Sequence, residues 1–224
     1  MTAKDMFSHR VSILTGHYGT GKTEVSVNLA LALAAEGEQV MLADLDIVNP
    51  YFRSRERRPL LEKAGVRVIS SSQACSDADV PALPAELLTI LENRGILDIG
   101  GDPVGARVLA RFQPKIVQED YQLIFVLNAN RPEVRDAESA AAYLRSIEAV
   151  TGLTCSGLVN NTHLCGETTP AEIRKGAALA QEVSRQTGIP ILCHTAERRF
   201  LESLSDLGEP VFPIAINMKK PWER

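Results

Sequence analysis

A run of glycines followed by a lysine and a threonine is the stretch of the sequence best suited to chemistry. Residues 16–23 read GHYGTGKT. Glycines let backbone N–H groups converge on an anion, because no Cβ stands in the way. A lysine at this spacing reaches the outer phosphates of a nucleoside triphosphate, and the hydroxyl that follows it is placed to ligate Mg²⁺. The pattern therefore predicts a triphosphate site made by Gly16, Gly19, Thr20, Gly21, Lys22 and Thr23.

The residues on either side of this loop supply the elements that the motif requires. Residues 10–15 form a short apolar run that is typical of a buried strand. After the loop, Val27, Leu31 and Ala34 keep helical spacing, and Gly37 is a natural stop. The amino end of such a helix adds a partial positive charge to the loop. Strand, loop and helix in this order distinguish a phosphate-binding loop from a glycine-rich turn that matches by chance.

Acidic residues follow two later strands and suit a magnesium site. Residues 39–43 read as a buried strand that leads into Asp44 and Asp46, and a second apolar run contains Asp98 just before Gly101. The carboxyl ends of parallel strands meet at one edge of a sheet. We therefore expect Asp98 and Asp46 to hold Mg²⁺, Asp46 to orient the attacking water, and the Gly101 N–H to contact the γ-phosphate. The alternative is that Asp44 and Asp46 only cap the next segment.

Further along the chain, strand-like and helix-like segments alternate. Residues 121–128, 157–161 and 188–193 are predicted strands, and helices are predicted from Pro132 to Val150 and from Thr169 to about Gln186. No linker or internal repeat divides the sequence. The sequence thus predicts an α/β fold in one domain over residues 1–224, with a mainly parallel central sheet covered by helices on both faces.

Composition narrows the class of protein. The 224 residues carry a net charge of −4, so no basic field points to nucleic acid. No apolar run approaches the ~20 residues needed to span a bilayer, and the amino-terminal residues lack the apolar core of a signal peptide. The four cysteines are widely spaced, which favours reduced thiols. We therefore expect a cytoplasmic protein with no clear nucleic-acid or membrane partner.

These motifs together carry a family resemblance over most of the chain. The sequence resembles the deviant-Walker-A branch of P-loop ATPases, which includes the MinD and ParA positioning proteins, the nitrogenase iron protein and the cobyrinic-acid-type synthases. Residues 19–23 and 27–30 are similar to the loop and first helix of that family, residues 44–46 to its second acidic motif, and residues 98–102 to switch II of the iron protein. The resemblance implies ATP and Mg²⁺ as cofactors and a nucleotide-dependent homodimer as the working cycle.

Three positions depart from the family pattern. The signature lysine that reaches the partner's nucleotide falls at His17, and the cluster cysteine of the iron protein falls at Gly105. Pro221 interrupts any carboxyl-terminal amphipathic helix. Because an imidazole is cationic only part of the time near neutral pH, we expect slow turnover that depends little on self-dimerisation.

The identity of the base turns on residues 160–163, which read NNTH. Guanine readers of the P-loop class use Asn-Lys-x-Asp, whereas the fourth position here is His163. An amide at the strand end suits the adenine edge, so we expect Asn160 to read adenine and ATP to be the nucleotide. The alternative is that Asn160 and Asn161 simply end the strand.

Three functions stay open on sequence alone. The first is a slow ATPase switch whose homodimer recruits a protein partner. The second is a metal-delivery GTPase, because the GxxGTGKT loop is also similar to nickel-insertion GTPases. The third is an ATP-dependent ligase, whose small-molecule pocket could only be formed by the polar residues 70–84. A transition-metal site at Cys155, His163 and Cys165 is disfavoured, because the spacing matches no closed zinc site.

Overall fold

Eight parallel strands form one sheet with the order β3-β2-β4-β1-β5-β6-β7-β8. The structure is a computed structural model that describes residues 1–45, 54–70 and 86–218. The strands are β1 (Val11–Thr15), β2 (Val40–Leu45), β3 (Arg67–Ser70), β4 (Arg94–Ile99), β5 (Tyr121–Leu127), β6 (Cys155–Asn160), β7 (Ile191–Glu197) and β8 (Val211–Ile214). The predicted sheet is confirmed, and it is parallel throughout its described pairs.

Helices cover both faces of this sheet. They are α1 (Ala3–Met6), α2 (Lys22–Ala35), α3 (Arg58–Lys63), α4 (Glu86–Glu92), α5 (Pro103–Ala110), α6 (Gln113–Ile116), α7 (Ala137–Thr151) and α8 (Pro170–Thr187). Apolar residues of α1, α2 and α3 pack in the layer on one face. Those of α4, α5, α7 and α8 pack in the layer on the other. Strands enclosed in this way read as continuous apolar runs, which is why β1 and β5 stand out in the sequence.

Two helical regions differ from the sequence prediction. The helix expected to begin at Pro132 is a short 3₁₀ turn over Pro132–Val134, and α7 begins after Asp136. The Asp136 side chain accepts a hydrogen bond from the Ser139 N–H at 2.8 Å, so a stronger N-cap overrides the proline signal. Helix α5 was not predicted, although Asp102 caps it in the same way.

The connections bring the strand ends of interest together. Strand β1 lies between β4 and β5, and the chain crosses from β4 over β1 to β5, so the direction of strand order changes beside β1. Ligands of open α/β sheets bind at the carboxyl ends of the strands near such a point. Residues 16–23 and 100–102 and the segments after β5 and β6 all start at this edge. Within the described ranges, no helix is long and apolar enough to cross a membrane.

Candidate functional site

The loop between β1 and α2 takes a conformation that only glycines allow. Gly16 has a φ of 136°, and a Cβ there would lie 2.4 Å from the Val126 carbonyl oxygen. Gly21 has a φ of 85° and is the N-cap of α2. A Cβ on Gly21 would lie 2.2 Å from the Asn161 Nδ2. These positions combine left-handed backbone with close contacts, so the glycine spacing of the motif is a steric requirement.

The loop is fixed from within by the His17 carbonyl oxygen. This oxygen accepts hydrogen bonds from the Thr20 N–H at 3.2 Å and the Thr20 hydroxyl at 2.9 Å. The Lys22 ammonium also donates to it, at 3.2 Å. Thr20 and most of Lys22 are buried, whereas Thr23 is partly exposed at the start of α2. The lysine charge therefore lies over the loop, where a bound triphosphate would meet it.

Two buried carboxylates stand side by side next to this loop. Asp44 in β2 and Asp98 in β4 are register partners, and Leu14 at the end of β1 is the next partner of Asp98. Register partners on adjacent strands project to the same face. That face is the one covered by α2, because Leu14 packs in the same apolar layer as the α2 side chains. Both carboxylates therefore lie on the side of the sheet that carries Thr23.

The donor set fits Mg²⁺ better than a softer metal. Mg²⁺ is usually held by one or two carboxylates, a hydroxyl and substrate phosphates, rather than by an all-protein cage. The oxygens of Asp98, Asp44 and Thr23 suit that arrangement. Among the described residues no group of three His, Cys, Asp or Glu side chains could hold a metal ion by itself. Asp46, the predicted water-orienting residue, lies outside the described residues.

The loop after β4 packs directly on the glycine loop. A Cβ on Gly101 would lie 2.6 Å from the Lys22 Nζ and 2.8 Å from the Tyr18 nitrogen. The Tyr143 hydroxyl, from α7, donates a hydrogen bond to the Gly101 carbonyl oxygen. Burial, with a smaller effect of Asp102, raises the pKa of Tyr143 to about 12, so this hydroxyl keeps its proton. Gly101 is thus held between the lysine and a tyrosine donor.

The His17 side chain packs against its own chain. Its ring meets the Tyr143 ring edge-on, with centroids 4.9 Å apart. Its Nδ1 lies 3.7 Å from the Glu133 carboxylate and 3.2 Å from the Tyr18 carbonyl oxygen. His17, which stands where the family that this sequence resembles has its signature lysine, therefore makes an edge-on contact with the tyrosine that holds Gly101.

Asn160 makes its hydrogen bonds inside the protein. Its Nδ2 donates to the Ile173 carbonyl oxygen and to the His194 Nδ1, both at 3.1 Å, and its Oδ1 accepts from the Thr162 N–H at 3.0 Å. The side chain is fully buried. In this geometry Asn160 ties β6 to α8 and β7, and its expected contact with adenine remains a prediction.

Asn161 has a role that the sequence did not suggest. Its Nδ2 donates to the Thr20 carbonyl oxygen at 2.8 Å, and its Oδ1 accepts from the Thr195 hydroxyl at 2.5 Å. The end of β6 therefore braces the glycine loop from outside. Two adjacent amides at the end of a strand were the only available signal, and they do not reveal which of the two faces the loop.

Comparisons with known proteins agree with this geometry. A sequence profile of the ParA family, described as the NUBPL iron-transfer P-loop NTPase, matches residues 6–55. The septum site-determining protein MinD of Helicobacter pylori is 24% identical over 240 residues, covering 96% of this chain and 87% of that protein. The iron–sulfur cluster carrier protein of Escherichia coli K12 is 50% identical over 40 residues, which cover 18% of this chain and only 11% of the carrier.

A solved structure shows the same fold. The cell division protein FtsY of Thermotoga maritima superposes with a TM-score of 0.56 at 23% identity. The match covers 81% of this chain and 59% of FtsY, so the chain spans less than two thirds of that protein. In sequence the chain is similar to P-loop NTPases of the MinD and ParA kind.

The glycine loop has a further contact, from the segment after β5. The Arg131 Nε donates to the Gly19 carbonyl oxygen at 2.7 Å. The nearby His163 stays neutral, because burial, helped by the charge of Arg131, lowers the pKa of His163 to about 4. Sequence reasoning missed the Arg131 contact, since no motif includes that residue.

The helix that follows the P-loop holds the segment after β8. The Glu24 carboxylate accepts from the N–H groups of Asn217 and Met218 at 2.8 and 3.0 Å. Asn28 pairs with the Ala215 backbone, donating to its oxygen at 2.9 Å and accepting from its nitrogen at 2.8 Å. Burial raises the pKa of Glu24 in spite of these bonds. The first two turns of α2 are therefore connected to residues 215–218.

The three cysteines that the structure describes do not converge. Cys155 packs in the apolar layer on one face of the sheet, and Cys193 packs in the layer on the other. Burial raises the pKa of the Cys155 thiol to about 12 and also raises that of Cys193. Cys165 is partly exposed, and Cys75 lies outside the described residues. Buried thiols of this kind are inert packing groups.

Proposed function

We propose that this P-loop NTPase is an Mg²⁺-dependent ATPase that works as a slow nucleotide-operated switch for a partner. The main support is the packing of Gly101 on the P-loop. The two are so close that a Cβ added to Gly101 would lie 2.6 Å from the Lys22 Nζ. A γ-phosphate held by Lys22 would also touch the loop after β4. The position of that loop then depends on whether the γ-phosphate is present, which is how nucleotide switches act.

Each residue of the site has a separate task in this proposal. Lys22 and the loop N–H groups bind the β- and γ-phosphates, and Thr23 and Asp98 hold Mg²⁺ with Asp46. When bound, the metal would neutralise charge on the phosphate oxygens. Asp46 also orients the attacking water. The Gly101 N–H donates to the γ-phosphate, while Tyr143 fixes the Gly101 carbonyl from behind.

The choice of ATP rests on the base-recognition segment. A guanine reader needs a carboxylate at the position of His163, and that ring is neutral here because burial and Arg131 lower its pKa to about 4. A neutral imidazole cannot replace the carboxylate that accepts from two guanine donors. Recruitment of a second copy of the chain and of a protein partner follows from the resemblance to MinD and ParA proteins.

The other functions have less support. A cargo role like that named for the iron–sulfur carrier would rest on a match of 40 residues. Of the cysteines that the structure describes, only Cys165 is partly exposed. The ligase alternative needs a pocket at residues 70–84, nearly all of which lie outside the described residues. We therefore propose neither of them as the function.

Nucleotide binding and turnover test the proposal directly. The purified protein should hydrolyse ATP faster than GTP, and EDTA should stop the reaction. Lys22→Ala should abolish triphosphate binding, because it removes the point charge on the β- and γ-phosphates, whereas Lys115→Ala at an exposed site in α6 should not. Wild-type ATP affinity in Lys22→Ala would refute the site.

A second variant separates binding from hydrolysis. Asp46→Asn keeps the size of the side chain but loses the carboxylate that orients water, so turnover should fall while ATP affinity stays nearly unchanged. Equal turnover in the variant and the wild type would move that role to another residue, with Asp102 the next to examine.

A further inference from the structure

We propose that Arg131 supplies, from within the same chain, a second permanent positive charge at the phosphate site beside that of Lys22. This inference rests on the proposed ATPase function and extends it to a residue outside the P-loop motif. Sequence reasoning left open which cation completes the site, because His17 stands where the resembling family has a lysine. The structure places an arginine on the loop itself.

The guanidinium of Arg131 lies over Gly19. Its Nε donates to the Gly19 carbonyl oxygen at 2.7 Å, and a Cβ on Gly19 would lie 2.8 Å from the Arg131 Cζ. The arginine is anchored at its own backbone, because its N–H donates to the Asn128 carbonyl oxygen at 3.0 Å. Pro132 follows it and restricts its backbone to extended conformations, as observed. A rigid turn thus presents the guanidinium to the loop.

In the described part of the chain, no nearby acid neutralises the charge of Arg131. Among the residues that the structure describes, no carboxylate oxygen lies within 4.0 Å of this guanidinium. The Glu133 carboxylate, two residues away, faces His17 instead. By contrast, the exposed Arg174 pairs with Asp206 at 2.7 Å. A partly buried arginine that is held against a phosphate-binding loop, and has no acidic partner among the described residues, is suited to bind an anionic ligand.

The two histidines described beside the loop, His163 and His17, are poorly suited to this task. His163 is neutral near pH 7, because burial and the Arg131 charge lower its pKa to about 4. His17 packs on the Tyr143 ring with centroids 4.9 Å apart. Arginine stays charged at any physiological pH, so Arg131, like Lys22, is a constant cation beside the loop.

The fork of the guanidinium leaves donors for the ligand. Its Nε–H is used on Gly19, and the four N–H groups on the two terminal nitrogens can bind phosphate oxygens. Donors aimed at charge that develops during phosphoryl transfer are each worth about 10²–10³ in rate. We expect Arg131 to act on the chain's own nucleotide in this way, so that turnover per chain does not rise with protein concentration.

Three variants test this inference. Arg131→Ala should lower kcat about 10²-fold or more. Arg131→Lys keeps the charge but loses the fork and should retain only part of the rate. The matched control is Arg135→Ala, because Arg135 is exposed in the same segment and faces Asp136, and it should keep wild-type kcat. Wild-type kcat in Arg131→Ala, measured where the wild type turns over, would overturn the inference and leave the ATPase proposal standing.

Mixing experiments decide between action within one chain and action across a dimer. Arg131→Ala mixed with the binding-deficient Lys22→Ala should stay slow, because neither chain has a complete site. Recovery of the rate on mixing would show that the arginine acts on a partner's nucleotide and would overturn the proposal.

Binding measurements cover the case of a merely structural role. With a non-hydrolysable ATP analogue and with ADP, Arg131→Ala should weaken the analogue more than ADP, since the added charge faces the outer phosphates. Equal weakening of both, with a lower melting temperature, would show a loop brace only and would overturn the inference. These measurements remain decisive if the wild type binds nucleotide without hydrolysing it, which would refute the ATPase proposal instead.

Discussion

The two halves of the sheet's carboxyl edge use polar residues differently. On the side of β2, β4 and the P-loop, Asp44, Asp98 and Lys22 are buried charged groups gathered around a glycine loop. On the side of β6 and β7, the side-chain amides of Asn160 and Asn161 form hydrogen bonds within the protein. In the proposed function the first half binds the ligand, and the second half supports the first through hydrogen bonds such as that from Asn161 to Thr20. Polar residues at strand ends therefore have two meanings that residue type alone does not separate.

Disturbing the close packing of Gly101 on the P-loop should have the largest effect on turnover. In Gly101→Ala the new Cβ would meet the Lys22 Nζ at 2.6 Å and the Tyr18 backbone nitrogen at 2.8 Å. The loop after β4 must then move away from the γ-phosphate, so kcat should fall about 10²–10³-fold, while ADP affinity changes little.

Steady-state turnover and ADP binding measure this prediction. Gly208→Ala is the control, since a Cβ there meets no atom within 4 Å. Unchanged kcat in Gly101→Ala would mean that the loop after β4 does not sense the γ-phosphate. The proposed ligand-binding role of this half of the sheet edge would then be refuted for that loop.

On the amide side the expected loss is in stability. Asn160→Ala leaves the Ile173 carbonyl, the His194 Nδ1 and the Thr162 N–H without their buried partner, which should cost about 2–3 kcal/mol of unfolding free energy. Urea unfolding measures this value. Asn93→Ala, at an exposed amide that bonds only within its own turn, should stay within about 0.5 kcal/mol.

The same variant tests the adenine prediction. If Asn160→Ala keeps its stability but loses the preference for ATP over GTP, then Asn160 reads the base and the bracing role inferred from the structure is wrong. If stability falls and the preference is kept, base recognition belongs to another residue.

The sequence predicted the P-loop well because its chemistry is local. The glycines, Lys22 and Thr23 are adjacent in the chain, and the strand and helix around them have clear apolar patterns. The acidic strand ends could be anticipated for a similar reason, since parallel strands end at a common edge. Asp44 and Asp98 are indeed register partners.

The missed residues are those whose contacts join distant parts of the chain. Asn161 reaches Thr20 across 141 positions, Arg131 reaches Gly19 across 112, and Tyr143 reaches Gly101 across 42. Such pairs depend on strand order, which alternation of strands and helices does not specify. The internal hydrogen bonds of Asn160 were missed for another reason, because an amide that serves the core has the same sequence signature as one that serves a ligand.

The smallest effect is expected at the junction of the two halves. Tyr143→Phe removes only the hydroxyl that donates to the Gly101 carbonyl, a loss of about 1 kcal/mol. The affinity for a triphosphate analogue relative to ADP should therefore fall about 5-fold. Tyr121→Phe, at the opposite end of the sheet, should leave this ratio unchanged. A lower melting temperature with an unchanged affinity ratio would indicate that Tyr143 serves packing alone.

The hydrogen bonds between α2 and residues 215–218 have a consequence for folding during synthesis. Asn28 and Glu24 bond to partners 187 to 194 positions later in the chain. At synthesis rates of roughly 5–20 residues per second, a ribosome needs about 10–40 s to make that stretch. During this time the P-loop helix has been synthesised but lacks those contacts. Nascent chains should therefore gain full nucleotide affinity only after residue 218 emerges, late in synthesis.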